Sequence, residues 1–112
     1  MKEIYRKIKK FIQRGKRGWS DEDTWDFDSY LSEVISSGCK HLADITISYP
    51  TGMGFRKWKR ILNKISKDIV APIEFDNSVS NMGNYNQQSK EAYKKQSEAL
   101  KLLVKHFNDL WD

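Results

Sequence analysis

Four stretches of this sequence carry apolar residues three and four positions apart, the spacing that gives an α-helix one apolar face. Residues 2–14 place Ile4, Tyr5, Ile8, Phe11 and Ile12 on one stripe, with Lys2, Arg6, Lys7, Lys9 and Lys10 over the remainder. Gly15 and Gly18 are expected to end this helix. A second begins at Ser20, an N-cap candidate. Asp21, Glu22 and Asp23 then favour its first turn, with Asp23 at the capping-box position. It runs to about Thr46 on a stripe of Phe27, Leu31, Val34, Ile35, Leu42 and Ile45, with Tyr30, Gly38 and Cys39 alongside. Tyr49-Pro50-Thr51-Gly52 stops it, because the residue before a proline is pushed out of the helical region. A third helix spans about Gly54 to Ile69, with Phe55, Trp58, Ile61, Leu62, Ile65 and Ile69 facing inward.

From Ala71 to about Gln88 the periodicity fails. Pro72, Gly83 and the asparagines 77, 81, 84 and 86 read as a polar loop, which Ile73, Phe75, Val79, Met82 and Tyr85 would pin in places. A last helix starts near Ser89 and runs to the terminus. Tyr93, Leu100, Leu103, Phe107 and Leu110 share one face, and the Leu110-Trp111 pair is expected to dock the C-terminus into the core. The expected fold is all-α: a compact bundle of four helices with a long polar loop at 71–88. A chain of 112 residues reads as one domain, 1–112, with residues 1–17 as a candidate mobile basic helix.

Charge is unevenly placed. The net charge is +5, yet residues 1–17 hold eight basic side chains against one acidic, residues 20–44 seven acidic against one basic, and residues 54–70 six basic against one acidic. An acidic middle flanked by basic helices can neutralise itself within the fold, or leave a basic face for an anionic partner. The single cysteine, Cys39, excludes an internal disulfide. No apolar run is long enough to span a bilayer and no secretory segment is evident, so the expectation is a cytoplasmic protein without a membrane partner.

The densest mixture of aromatic and acidic residues is Arg17 to Asp28, which holds two of the four tryptophans and five of the fifteen acidic residues. Helical geometry puts Asp28 near Ile35 and Leu42, at the edge of the buried face. A carboxylate there needs a raised pKa or a partner, for which Arg14, Arg17 and Arg56 are candidates. Trp19, Trp25, Tyr49 and Tyr85 fall at helix ends or in loops, where an aromatic ring can line a pocket. Signs of catalysis are few. Gly52-Met53-Gly54 lacks the strand and lysine of a phosphate loop. Cys39 and His41, two apart on a helix, point apart. Asp26, Glu33 and His41 make only an undiagnostic metal-ligand set. The expectation is no enzyme, no cofactor and no metal.

Arg17-Gly18-Trp19-Ser20, followed by Asp23, Trp25 and Asp28, resembles the signature of a family of small bacteriophage and prophage proteins. Tyr49-Pro50, Trp58 with Ile61-Leu62, and the ending Phe107-Asn108-Asp109-Leu110-Trp111-Asp112 are also similar to that family. Ser48 stands where its members often have glycine. The resemblance implies a phage setting inside a bacterial host and carries over no catalytic residue. Together these readings suggest a non-enzymatic accessory protein that binds and blocks a host target: an anti-defence protein that inhibits an immune effector or sequesters an anionic nucleotide signal. Arg14, Lys16 and Arg17 would hold phosphates, Trp19 or Trp25 would stack a base, and Asp28 and Tyr49 would complete the site. The alternative is a small nucleic-acid-binding regulator using Lys7, Lys10, Arg56, Lys57, Lys59 and Arg60. A homo-oligomer is compatible with either.

Overall fold

The computed structural model describes residues 2–78 and 85–111, and every regular element among them is helical. The chain divides into two compact units, Met1–Leu31 and Ser32–Asp112. Helix α2 (Phe27–Ile45) begins in the first and continues into the second.

The first unit opens with α1 (Lys2–Arg17). Gly15 lies within this helix, so the stop falls at Gly18. Its φ of 85° is a left-handed conformation that favours glycine. The Gly18 N–H bonds back to the Arg14 carbonyl at 2.8 Å, and the Tyr30 hydroxyl donates to the Gly18 carbonyl at 2.6 Å. Ser20 then begins a capping box. The Ser20 N–H donates to the Asp23 carboxylate at 2.7 Å, and the Asp23 N–H reaches the Ser20 hydroxyl at 3.3 Å. Five residues of tighter 3₁₀ turn, Glu22–Asp26, follow before α2 starts at Phe27. The helix expected from Ser20 thus has a 3₁₀ first segment.

In the second unit α3 (Phe55–Ile69) supplies the large core side chains. Trp58, Leu62, Ile65 and Ile69 recur at four, three and four residues and are buried, as the periodicity predicts, whereas Phe55, expected to face inward with them, is exposed. Its neighbours meet it with small residues. Helix α2 buries Ser32, Cys39 and Ala43, and α5 (Tyr85–Lys105) buries Ala92 and Ala99. Ser36 and Ser66 lock α2 to α3, each hydroxyl donating to the other residue's carbonyl at 2.7 Å. The Gln96 amide donates to the Ile69 carbonyl at 3.0 Å. This corrects the expected faces of α2 and α5. Ile35, Leu42, Leu103 and Leu110 pack against the core only in part, while Phe27, Leu31, Val34, Ile45, Tyr93, Leu100 and Phe107 are exposed.

The stretch 71–88 is also corrected. Helix α4 (Ala71–Ser78) follows α3 directly and α5 begins at Tyr85, making five α-helices among the described residues. Pro72 sits in the first turn of α4, where a missing N–H costs nothing, and Phe75 packs 5.3 Å from Tyr85. Residues 79–84, with Val79 and Met82, lie outside the described residues. A short 3₁₀ turn, Phe107–Asp109, follows α5. The C-terminal pair splits: Leu110 reaches the core and Trp111 is exposed.

Between α2 and α3 the buried Thr46 hydroxyl organises the chain. It accepts the Ser48 N–H and donates to the Ser48 carbonyl, both at 3.1 Å. Ser48 therefore fits without a left-handed backbone. The positive φ that this segment needs, 83°, falls at Gly52.

Gly38 is exposed within α2, and a Cβ there would meet nothing within 4 Å. Alanine restricts the unfolded backbone and fits the helix. Gly38→Ala is therefore expected to stabilise the protein by about 0.5–1 kcal/mol, read as a higher urea midpoint at unchanged slope.

Candidate binding site

The three basic residues expected to hold phosphates, Arg14, Lys16 and Arg17, lie in the last turn of α1, and the structure commits two of them elsewhere. Arg14 grips Asp23 with two bonds, Nε to Oδ2 at 2.8 Å and Nη2 to Oδ1 at 2.6 Å. Asp23 is buried. The Arg14 guanidinium foremost, then the Ser20 N–H and hydroxyl, hold its carboxyl far below the usual carboxylate range, against a burial that acts to raise it. Arg17 pairs with Asp21, donates to the Trp19 carbonyl at 2.9 Å, and lays its guanidinium 3.8 Å over the Trp19 ring. Gln13 binds Asp21 twice: its amide donates to the carboxylate and its carbonyl accepts the Asp21 N–H, both at 2.8 Å. Gln13 first, then Arg17, lowers the Asp21 pKa. Arg6 completes the clamp on Glu22, with Nε at 2.9 Å from Oε1. The acidic turn 21–23 is thus tied along one side of α1 by four side chains.

Asp28 does not sit at a core edge. It is exposed, and its pKa is lowered, by a hydrogen bond with Asp26 first and then by the Ser29 N–H at 2.9 Å. None of Arg14, Arg17 and Arg56 is its partner among the described ion pairs. Tyr49 belongs to the second unit, edge-on to Phe55 at 6.1 Å. Among the described residues no three His, Cys, Asp or Glu stand where they could hold a metal ion, so Asp26, Glu33 and His41 are not gathered into a site.

The clamp leaves a hollow of about 300 Å³ in the first unit, between α1 and the acidic turn. Arg6, Lys9, Lys10 and Gln13 line it from α1, with Ser20, Asp21 and Glu22 opposite and Trp25 at its side. Trp25 is 75% exposed. Lys9 and Lys10 form no ion pair with a carboxylate among the described residues. Neither is among the residues expected to hold phosphates; Lys10 is named only for nucleic-acid contact. A neighbouring hollow of about 330 Å³ continues the lining past Arg6, Lys7 and Lys10 to Glu3. Lys16 lines neither.

A larger hollow, about 410 Å³, lies in the second unit between α2 and the chain end, walled by Ile35, Leu42, Leu103, Phe107 and Leu110. His41 is its one titratable side chain apart from Cys39, so it has little with which to orient a ligand.

Compared with protein-family models, with curated proteins and with solved structures, the chain matches none.

Proposed function

We propose that this is a non-enzymatic binding protein for a small anionic ligand with an aromatic ring, of the nucleotide class, held in the first-unit hollow. The observation that carries the proposal is the position of exposed Trp25 beside Lys9 and Lys10 in one cleft. An open indole face stacks a base, and two ammonium groups meet phosphate oxygens. Asp21 and Glu22 on the opposite wall do not oppose this strongly, since Arg17, Gln13 and Arg6 already satisfy them. Trp19, covered by Arg17, is the poorer stacking surface. Of the residues expected to bind the ligand, this reading keeps Trp25, leaves out Arg14, Lys16, Arg17, Trp19, Asp28 and Tyr49, and adds Lys9 and Lys10.

In the phage setting implied by the resemblance, such a protein would sequester a nucleotide signal of a host defence system. The first test is titration of the intact protein with mono-, di- and cyclic nucleotides, followed by Trp fluorescence and calorimetry. Trp25→Ala is expected to weaken binding by about tenfold or more, and Lys9→Glu with Lys10→Glu to abolish it, both with unchanged helicity. No binding by any nucleotide at millimolar concentration would sink the proposal. Retarded DNA or RNA at low salt, with affinity falling steeply as salt rises, would move the reading to a nucleic-acid regulator. On α3, Arg56, Lys57 and Arg60 are exposed and Lys59 lies 4.7 Å over the Phe55 ring.

A further inference from the structure

We infer that the apolar stripe of α1 is a docking surface for an anionic lipid bilayer. Successive side chains turn by about 100° around a helix, so Phe11, Ile4, Ile8, Ile12 and Tyr5 fill one sector of about 120°. All five are exposed, from 48% for Ile12 to 79% for Phe11. The clamp explains which way they face. Arg6, Gln13, Arg14 and Arg17 occupy the other side of α1 and are the residues tied to the acidic turn. The nucleotide hollow opens on that tied side, away from the stripe.

Cations border the stripe on both edges. Lys2, Lys9 and Lys16 lie beyond Tyr5, and Lys7 lies beyond Phe11. None is ion-paired to a carboxylate among the described residues. This arrangement selects the occupant. A nucleic acid would meet the lysines and leave five large apolar side chains wet. A second α1 would cover the apolar side chains but set lysine against lysine along either edge. An anionic bilayer suits both features. The stripe enters the boundary between headgroups and acyl chains, while the lysine stems reach up to lipid phosphates. Tyr5, at the margin of the stripe, suits that depth. No helix among the described residues is long and apolar enough to cross a membrane, and a helix lying in the interface needs no such length.

The test is sedimentation of the full chain with vesicles of phosphatidylcholine, alone or with about one-third phosphatidylglycerol. The anionic vesicles are expected to carry down at least about tenfold more protein, and added salt to reduce this. Ile8→Asp with Phe11→Asp should remove binding. Phe11→Ala, which preserves the helix, should lower it severalfold, and Lys2→Glu with Lys7→Glu and Lys16→Glu should abolish the preference for anionic lipid. Three results would overturn the inference: no difference between the two vesicles, binding that Phe11→Ala leaves untouched, or a stable dimer in solution that Phe11→Asp dissociates.

Discussion

Replacing Trp58 with alanine is expected to leave the second unit unfolded, or nearly so, at ordinary temperature. Trp58 is fully buried and packs its ring 5.3 Å from that of the buried His106. It shares the core with Cys39, Ala43, Leu62 and Ile65. Truncating a buried tryptophan costs about 3–5 kcal/mol, lost burial and residual cavity together. Domains of this size have total stabilities of roughly 5–15 kcal/mol, and small ones lie toward the lower end. The surroundings offer little relief, because Cys39 and Ala43 are too short to fill the space and the Ser36–Ser66 bonds keep α2 at its distance from α3. Trp58→Phe should cost distinctly less, since most of the apolar volume remains. Urea unfolding followed by circular dichroism measures both. A loss below about 1 kcal/mol for the alanine variant would show that α3 is not the centre of this core.

The second large effect is expected at Asp23. Asp23→Asn removes the charge that Arg14 grips and weakens the capping box with Ser20 in the same step. Helix α1 buries none of its residues, so the clamp is the main tie between it and the rest of its unit. Amide exchange along α1 should therefore accelerate by at least about tenfold, while exchange in α3 stays unchanged. The pH dependence follows from the sign of the shift. A carboxylate with a depressed folded-state pKa contributes its full stability above the unfolded value, about 3.9, and loses it as pH falls toward the folded value. Protection of α1 should be level from pH 5 to 8 and decline below about pH 4. Asp21, also lowered, acts in the same direction. In the Asn variant the decline should be shallower. Equal α1 exchange in the two proteins would show that the clamp does not hold the helix.

Helix α3 was legible because, from Trp58 onward, its large apolar residues and its buried face coincide. Helices α2 and α5 were legible as helices but not in orientation. Periodicity weights residues by hydrophobic size, and the faces they bury carry Ser32, Ser36, Ala43, Ala92 and Ala99, which give almost no such signal. Helix α4 was hidden by Pro72 and Asn77, which read as breakers, although a proline in a first turn breaks nothing. At the candidate site the charge density of residues 17–28 pointed to the acidic turn that α1 side chains hold. Which arginine meets which carboxylate was not legible, because it depends on how the chain reverses at Gly18 and brings residues nine and sixteen apart together. Once Arg14 and Arg17 are paired, Lys9 and Lys10 become the cations that line the hollow beside Trp25.

The protein's single thiol has a use that follows from its position. Cys39 is buried against α3, and desolvation pushes its pKa up, so little thiolate is present and reagents have little access to it. Because Cys39 also lines the apolar hollow of about 410 Å³, it is alkylation by a large or charged reagent that must wait for the second unit to open. With no other cysteine to compete, the labelling rate is a built-in clock for that opening, readable by mass on the unmodified protein without a probe or a mutation.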